Sequence, residues 1–107
     1  MNKILIVDAS ASDGRIMSGL LTRAGYDPIV VEGIEAGKVE ASKLPPGAVI
    51  VTAMRLNDGT AYELINWLKA EDYKFPVIAI VENLNTSDAV NIMRGGRAMD
   101  VVQRPAI

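Results

Sequence analysis

Residues 3–8, KILIVD, place four aliphatic side chains in a row between a lysine and an aspartate. A continuous run of this kind indicates a strand that is buried on both faces, as in a parallel sheet. Four further apolar runs follow along the chain, at 28–31, 48–51, 77–81 and 98–102. We therefore predict five strands in one parallel sheet.

The stretches between these runs have the apolar spacing of amphipathic helices. We expect one helix before Gly25, a weaker one over residues 34–43, and others that begin near Thr60 and Ser87. The apolar residues predicted to face the sheet from these helices are Ile16, Leu20, Leu21, Ala24, Ala61, Leu64, Ile65, Leu68, Ala89, Ile92 and Met93. The alternation of strands and helices predicts a sheet with helices on both of its faces.

The composition excludes several classes of function. The 107 residues are enough for one domain, and their net charge of −2 comes without a basic run, so we expect no direct contact with nucleic acid. The absence of cysteine rules out disulfides, and the absence of histidine removes the commonest general base. No apolar run is long enough to span a membrane and the first residues are no signal peptide, so we expect a cytoplasmic domain without membrane contact.

Candidate site residues are expected at one edge of the sheet. In an open α/β sheet, ligands bind beyond the carboxyl ends of the strands. In this chain those ends are the pairs Asp8-Ala9, Thr52-Ala53, Val81-Glu82 and Gln103-Arg104. These pairs are therefore the first places to look for a binding site.

Several strings in the chain resemble the response-regulator receiver family of bacterial two-component systems. They are, in order, residues 3–8, 20–27, 55–59 with 62–65, 75–78 and 100–105. The resemblance covers the whole chain and implies a flavodoxin-like doubly wound α/β fold with strand order 2-1-3-4-5. It also implies a cis peptide bond before Pro105.

The same resemblance bears on how the domain is organised. Family members usually continue after this proline with a fifth helix, which we expect to be absent or truncated here because only Ala106 and Ile107 follow. We expect residues 1–107 to form one receiver-like domain at the N-terminal end of a longer regulator.

Phosphotransfer in the family needs a carboxylate that accepts the phosphoryl group and two acids that help to hold Mg²⁺. Carried over residue by residue, the first of these acids is Asp8, but the second position is Ala9. The acceptor position falls on Ala53, or on Thr52 if the following loop has lost one residue. Neither acceptor candidate is a carboxylate, and the second acid is missing. We therefore expect no Mg²⁺ and no other cofactor; Asp8 is the one site residue that could still act as a metal ligand.

Three further positions of the family's site have also changed. The hydroxyl that ends the fourth strand is replaced by Val81, and the inward-turning aromatic residue by Val101. The lysine position falls on Arg104, which keeps the charge but has a planar guanidinium. The resemblance thus implies a vestigial phosphorylation pocket with no catalytic residue.

Most charged residues near this pocket have an ordinary structural interpretation. We expect Asp8 to pair with Arg104 or to cap the next helix, so that Arg104 belongs to a structural ion pair. Glu82 is expected to be a solvated loop acid, with pairing to Arg104 or Arg55 in the emptied pocket as the alternative. We expect Asp13 to help cap a helix start and Asp58 to belong to a turn.

The sequence therefore predicts a phosphorylation-independent interaction or dimerisation module that is not an enzyme. It would regulate an attached output domain, such as that of a transcription regulator. A protein partner or a second copy is expected to bind a surface formed by Met93, Arg94, Arg97, Met99 and Val101, whose methionines and arginines are typical of interfaces.

Two alternatives remain open at this stage. One is a sensor in which a small anion or nucleotide binds at the mouth between Asp8 and Arg104. The other is an ordinary phosphorelay receiver that is phosphorylated at an acid not recognised in the sequence.

Overall fold

The structure, a computed structural model, describes residues 2–84, 87–94 and 98–104. Five parallel strands form one sheet, and their bounds are β1 Lys3–Val7, β2 Asp27–Val31, β3 Val49–Ala53, β4 Val77–Val81 and β5 Asp100–Gln103. Their spatial order is β2-β1-β3-β4-β5. The predicted flavodoxin-like sheet and its order 2-1-3-4-5 are therefore confirmed.

Four helices connect these strands: α1 Ala11–Arg23, α2 Ile34–Ala41, α3 Ala61–Ala70 and α4 Ser87–Met93. Between β3 and α3, the chain makes a small antiparallel hairpin of Arg55–Leu56 with Gly59–Thr60. None of the helices in the described part of the chain is long and apolar enough to cross a membrane.

The main hydrophobic core lies between the sheet and helices α2, α3 and α4. Leu5 and Val7 of β1 share this core with Ile50 of β3 and with apolar residues of the three helices. The predicted inner face of α3 is confirmed, since Leu64, Ile65 and their neighbours on that face are at most 3% exposed. Burying such a face contributes most of the stability of a helix this short.

Helix α1 lies on the opposite face of the sheet, and its predicted packing is wrong for Ile16, Leu20 and Ala24, which are exposed, whereas Leu21 is half-buried. Ile16 and Leu20 were expected to face the sheet, but they are 49% and 59% exposed. The buried residue of α1 is Gly14, where an added Cβ would come within 2.8 Å of Cγ1 of Val30. The helix therefore approaches β2 through its residue without a side chain, and this turns Ile16 and Leu20 away from the sheet. Met93 of α4 is likewise more exposed than expected, at 42%.

Candidate functional site

The predicted site residues meet at the carboxyl edge of the sheet. The register pairs Val7 of β1 with Thr52 of β3, and Val81 of β4 with Gln103 of β5. Because Thr52 pairs with Ala79, the four strands end within about two residues of one another, and the residues that follow them converge. Asp8 and Arg104 extend β1 and β5 into this edge.

Asp8 is the most deeply buried charged residue of the described chain, with 1% of its surface exposed. Its Oδ1 atom accepts a hydrogen bond of 3.0 Å from the backbone N–H of Ser10. Ser10 is in turn the N-cap of α1, where its hydroxyl oxygen accepts from the N–H of Asp13 at 3.3 Å. Asp8 thus holds the chain in the turn from which α1 starts.

Arg104 joins three carboxylates at this edge. Its Nη1 atom lies 2.9 Å from Oδ2 of Asp8 and 2.6 Å from Oδ2 of Asp13. Its Nε atom lies 2.9 Å from Oε1 of Glu82. The hydrogen bond with Asp8 is the main reason that the pKa of Arg104 is raised, so the guanidinium stays charged throughout the working pH range.

The predicted ion pair between Asp8 and Arg104 is present, but the roles predicted for Asp13 and Glu82 were incomplete. Ser10 supplies the cap of α1, while the carboxylate of Asp13 binds Arg104. Glu82 is solvated, with its side chain 80% exposed, and it also binds Arg104. The pairing with Arg104 was the alternative that the sequence offered for Glu82. No local pattern marks Asp13 as a partner, because a guanidinium with five N–H donors can reach acids from several elements at once.

A small cavity of about 130 Å³ opens beside Arg104. Its lining includes Ala53, Val81 and Glu82, three of the residues at the predicted strand ends. Thr52 is fully buried in the sheet, and its hydroxyl donates to the carbonyl oxygen of Ala53 at 3.0 Å. Of the two positions considered for the acceptor, Ala53 is therefore the one whose side chain borders the cavity.

Asp58 points away from this cavity and towards α2. Its Oδ1 accepts from the N–H of Ile34 at 2.6 Å, and its Oδ2 from the N–H of Glu35 at 3.1 Å. These two hydrogen bonds lower the pKa of Asp58 below its ordinary value. A residue predicted to belong only to a turn therefore also caps the N-terminus of α2, across 24 positions of sequence.

The residues predicted to form an interaction surface do not all lie at the surface. Met93 and Met99 are 42% and 66% exposed, and Arg94 is exposed as well. Val101 instead packs against the core. Arg97 and the peptide bond before Pro105 lie outside the described residues.

The carboxylates at this edge do not fit a magnesium site. Mg²⁺ requires oxygen ligands in a near-octahedral arrangement. Here Asp8, Asp13 and Glu82 all bind the guanidinium of Arg104. In the part of the chain that the structure describes, no group of three or more potential ligands could hold a metal ion.

Comparison with known proteins places these features in context. No protein-family model matches the chain. The photosynthetic apparatus regulatory protein RegA of Rhodovulum sulfidophilum is 28% identical over 103 residues, which cover 96% of this chain and 55% of that protein. The chain thus spans about half the length of this curated relative.

Solved structures with the same fold include the crystal structure of FixJ-N. It matches with a TM-score of 0.87 and 25% identity, over 100% of this chain and 84% of that one. The receiver domain of a sensor histidine kinase from Pseudomonas aeruginosa has a TM-score of 0.85 and 20% identity, over 99% of this chain and 87% of that one. That domain has a magnesium ion coordinated in its active-site cleft.

Proposed function

Since this chain has the fold of response-regulator receiver domains and resembles the regulatory protein RegA in sequence, we propose that it acts in signal transduction as a phosphorylation-independent interaction module. One observation carries the proposal: at the cavity where the strands end, β3 presents the methyl group of Ala53. Such a module binds partners and catalyses no reaction. It would regulate an output domain attached to it in a longer regulator.

The chemistry of the cavity supports the loss of phosphorylation. An acyl phosphate forms only on a carboxylate, and a methyl group cannot replace it. The nearby acids are already engaged, since Asp8, Asp13 and Glu82 bind Arg104 and Asp58 caps α2. This weighs against a receiver that is phosphorylated at another acid.

The charge of the cavity mouth weighs against an anion sensor. The cavity lining holds two basic residues, Arg55 and Arg104, and one acid, Glu82; Asp8 and Asp13 bind Arg104 from outside this lining. The three carboxylates neutralise Arg104, so its guanidinium offers a free anion little net attraction. The volume of about 130 Å³ is also below the roughly 300 Å³ of typical small-molecule sites.

The pocket also lacks the residues that would couple it to a distant surface. Val81 and Val101 have neither a hydroxyl nor an aromatic ring. A switch requires two states that a ligand binds with different affinity. We infer that the surface around Met93, Arg94 and Met99 keeps one conformation and serves as a permanent docking site for a protein partner or a second copy.

Phosphorylation is tested directly by intact-mass spectrometry. After incubation with acetyl phosphate or phosphoramidate and Mg²⁺, the mass of the protein should stay unchanged. A receiver domain with an intact acceptor aspartate serves as the positive control under the same conditions. A stoichiometric, base-labile phosphate adduct would overturn the proposal.

The docking surface is tested in the full-length protein. Arg94→Glu should weaken dimerisation or partner capture, because it reverses a charge at the centre of the surface. Arg104→Lys keeps a positive charge at the vestigial pocket and should leave association unchanged. Unchanged association of Arg94→Glu together with weakened association of Arg104→Lys would show that the partner binds at the vestigial pocket.

A further inference from the structure

We propose that the edge of the sheet opposite Asp8 and Arg104 is a docking groove for an acidic, apolar segment of a partner protein. A groove of about 400 Å³ opens there between the end of α3, the segment before β4 and the residue before β5. Its floor is apolar and includes Ile65, Leu68 and Val77. The inference goes beyond the proposed function, whose docking surface shares Met99 with this groove but includes none of its other lining residues.

The end of α3 builds one wall of the groove. The N–H of Asp72 donates to the carbonyl of Lys69 at 3.1 Å, and the N–H of Tyr73 to that of Leu68 at 2.8 Å. These two bonds form a Schellman motif, in which Asp72 adopts the left-handed conformation with φ of 61°. The motif folds Tyr73 back over Leu68, so both residues line the groove in fixed positions.

A row of aromatic rings stiffens this wall. The ring centroids of Trp67 and Tyr73 lie 5.6 Å apart, and those of Tyr73 and Phe75 lie 5.8 Å apart. Lys38 covers the other side of the row, with its Nζ atom 5.7 Å from the ring of Trp67. Rings held in this way present apolar area to a partner with little further loss of entropy on binding.

Met99 also lines the groove, at the residue before β5. It is 66% exposed, the most exposed of the large apolar side chains described. Its backbone is held in place, because its N–H donates to the carbonyl of Val77 at 2.8 Å. A flexible methionine beside rigid aromatic rings is typical of surfaces that receive a partner's apolar side chain.

The positively charged side chains at the rim favour an acidic partner. The lining of this groove includes Lys69 and Lys74, and no acidic residue belongs to it. Lys74 pairs with Asp72 at 3.3 Å, but the two side chains are 83% and 84% exposed. An exposed pair of this kind contributes little, so a partner's carboxylate can replace Asp72.

A second groove indicates that the occupant is an extended segment. It has a volume of about 410 Å³ and lies on the other side of the ridge formed by residues 73–76, which borders both grooves. Its remaining lining includes Leu44, Pro46 and Ala48, together with Asp72, the carboxylate that an acidic segment must displace from Lys74. A peptide that crosses the ridge could place one apolar side chain in each groove and carboxylates near Lys74.

The test uses a blocked hexapeptide in which a leucine and a phenylalanine are flanked by two glutamates on each side. Trp67 is the single tryptophan of the chain and stacks on Tyr73, so its fluorescence reports binding. We expect saturable binding, on the order of 1 mM or tighter. The same peptide with lysines in place of the glutamates should not bind.

Three variants locate the contact. Asp72→Asn keeps a residue that tolerates the left-handed conformation and removes the competing carboxylate, so it should tighten binding by about threefold. Lys74→Glu should weaken binding by about tenfold. Arg94→Glu makes the same charge change outside the groove and should have no effect.

Several results would overturn the inference. They are the absence of saturable binding, equal binding of the lysine peptide, and equal effects of Lys74→Glu and Arg94→Glu. Dimerisation of the chain through Met99 would overturn it too, because the groove would then take a second copy. None of these results affects the phosphorylation test, so the groove and the proposed function can fail independently.

Discussion

The guanidinium of Arg104 lies 2.9 Å from the carboxylate of Asp8, although the two residues are 96 positions apart in sequence. The bond joins the end of β5 to the end of β1, two strands that are not neighbours in the sheet. Asp13 and Glu82 extend the contact to α1 and to the loop after β4. One side chain therefore connects the ends of β1, β4 and β5 with the start of α1.

Replacing this arginine should be strongly destabilising. Arg104→Gln leaves the carboxylate of Asp8 buried without its cation, and breaking a buried pair in this way costs about 3–5 kcal/mol. Urea unfolding followed by circular dichroism measures the change in the free energy of unfolding. As a matched control, Lys74→Gln breaks an exposed pair and should cost less than about 1 kcal/mol. Equal effects of the two substitutions would show that the ion pairs of Arg104 contribute no more to the free energy of unfolding than an exposed pair does.

Asp58 should make the stability of the fold depend on pH. Its pKa is lowered in the folded state from an ordinary value of 3.8, because the carboxylate accepts the N–H groups of Ile34 and Glu35. The stabilisation is therefore complete above 3.8 and is lost as the pH falls through the lower folded value. Asp58→Ala should lower the melting temperature at neutral pH, and the difference should shrink in acid. A difference that stays constant down to low pH would contradict this assignment.

Two glycines of α1 should respond oppositely to the same substitution. Gly14→Ala forces a methyl group to 2.8 Å from Val30, a stiff β-branched residue, and overpacking of this kind costs about 1–3 kcal/mol. At Gly19 nothing lies within 4 Å, so Gly19→Ala should stabilise the helix by about 0.5–1 kcal/mol. Thermal melts of the two variants give the comparison. If both were stabilising, α1 would not approach β2 through Gly14.

Restoring a carboxylate at the end of β3 should not restore phosphorylation. Ala53→Asp supplies an acceptor, but the neighbouring acid position remains Ala9 and the hydroxyl position remains Val81. The new carboxylate would also border the same cavity as Arg104, which can neutralise it. Intact-mass spectrometry with a small phosphodonor should therefore still detect no adduct. Formation of an adduct would mean that the missing acceptor alone prevents phosphorylation, despite Ala9 and Val81.

The sequence by itself determined the sheet. A continuous aliphatic run such as 77–81 indicates a strand that is buried on both faces, and the alternation of such runs with amphipathic stretches favours parallel strands joined by helices. The inner face of α3 followed for the same reason, since its apolar residues recur with the period of a helix. These features are local, so one segment of chain is enough to predict each of them.

The tertiary structure alone decided how the charged groups are connected and which way α1 faces. Asp13 and Glu82 bind Arg104, and Asp58 caps α2, because the fold brings together elements that are distant in sequence. The orientation of α1 depends on the fit of Gly14 against Val30, a steric relation between two separate elements. Long side chains bind groups on distant elements, and close packing sets how two elements face each other. The apolar periodicity of a single segment cannot predict either kind of contact.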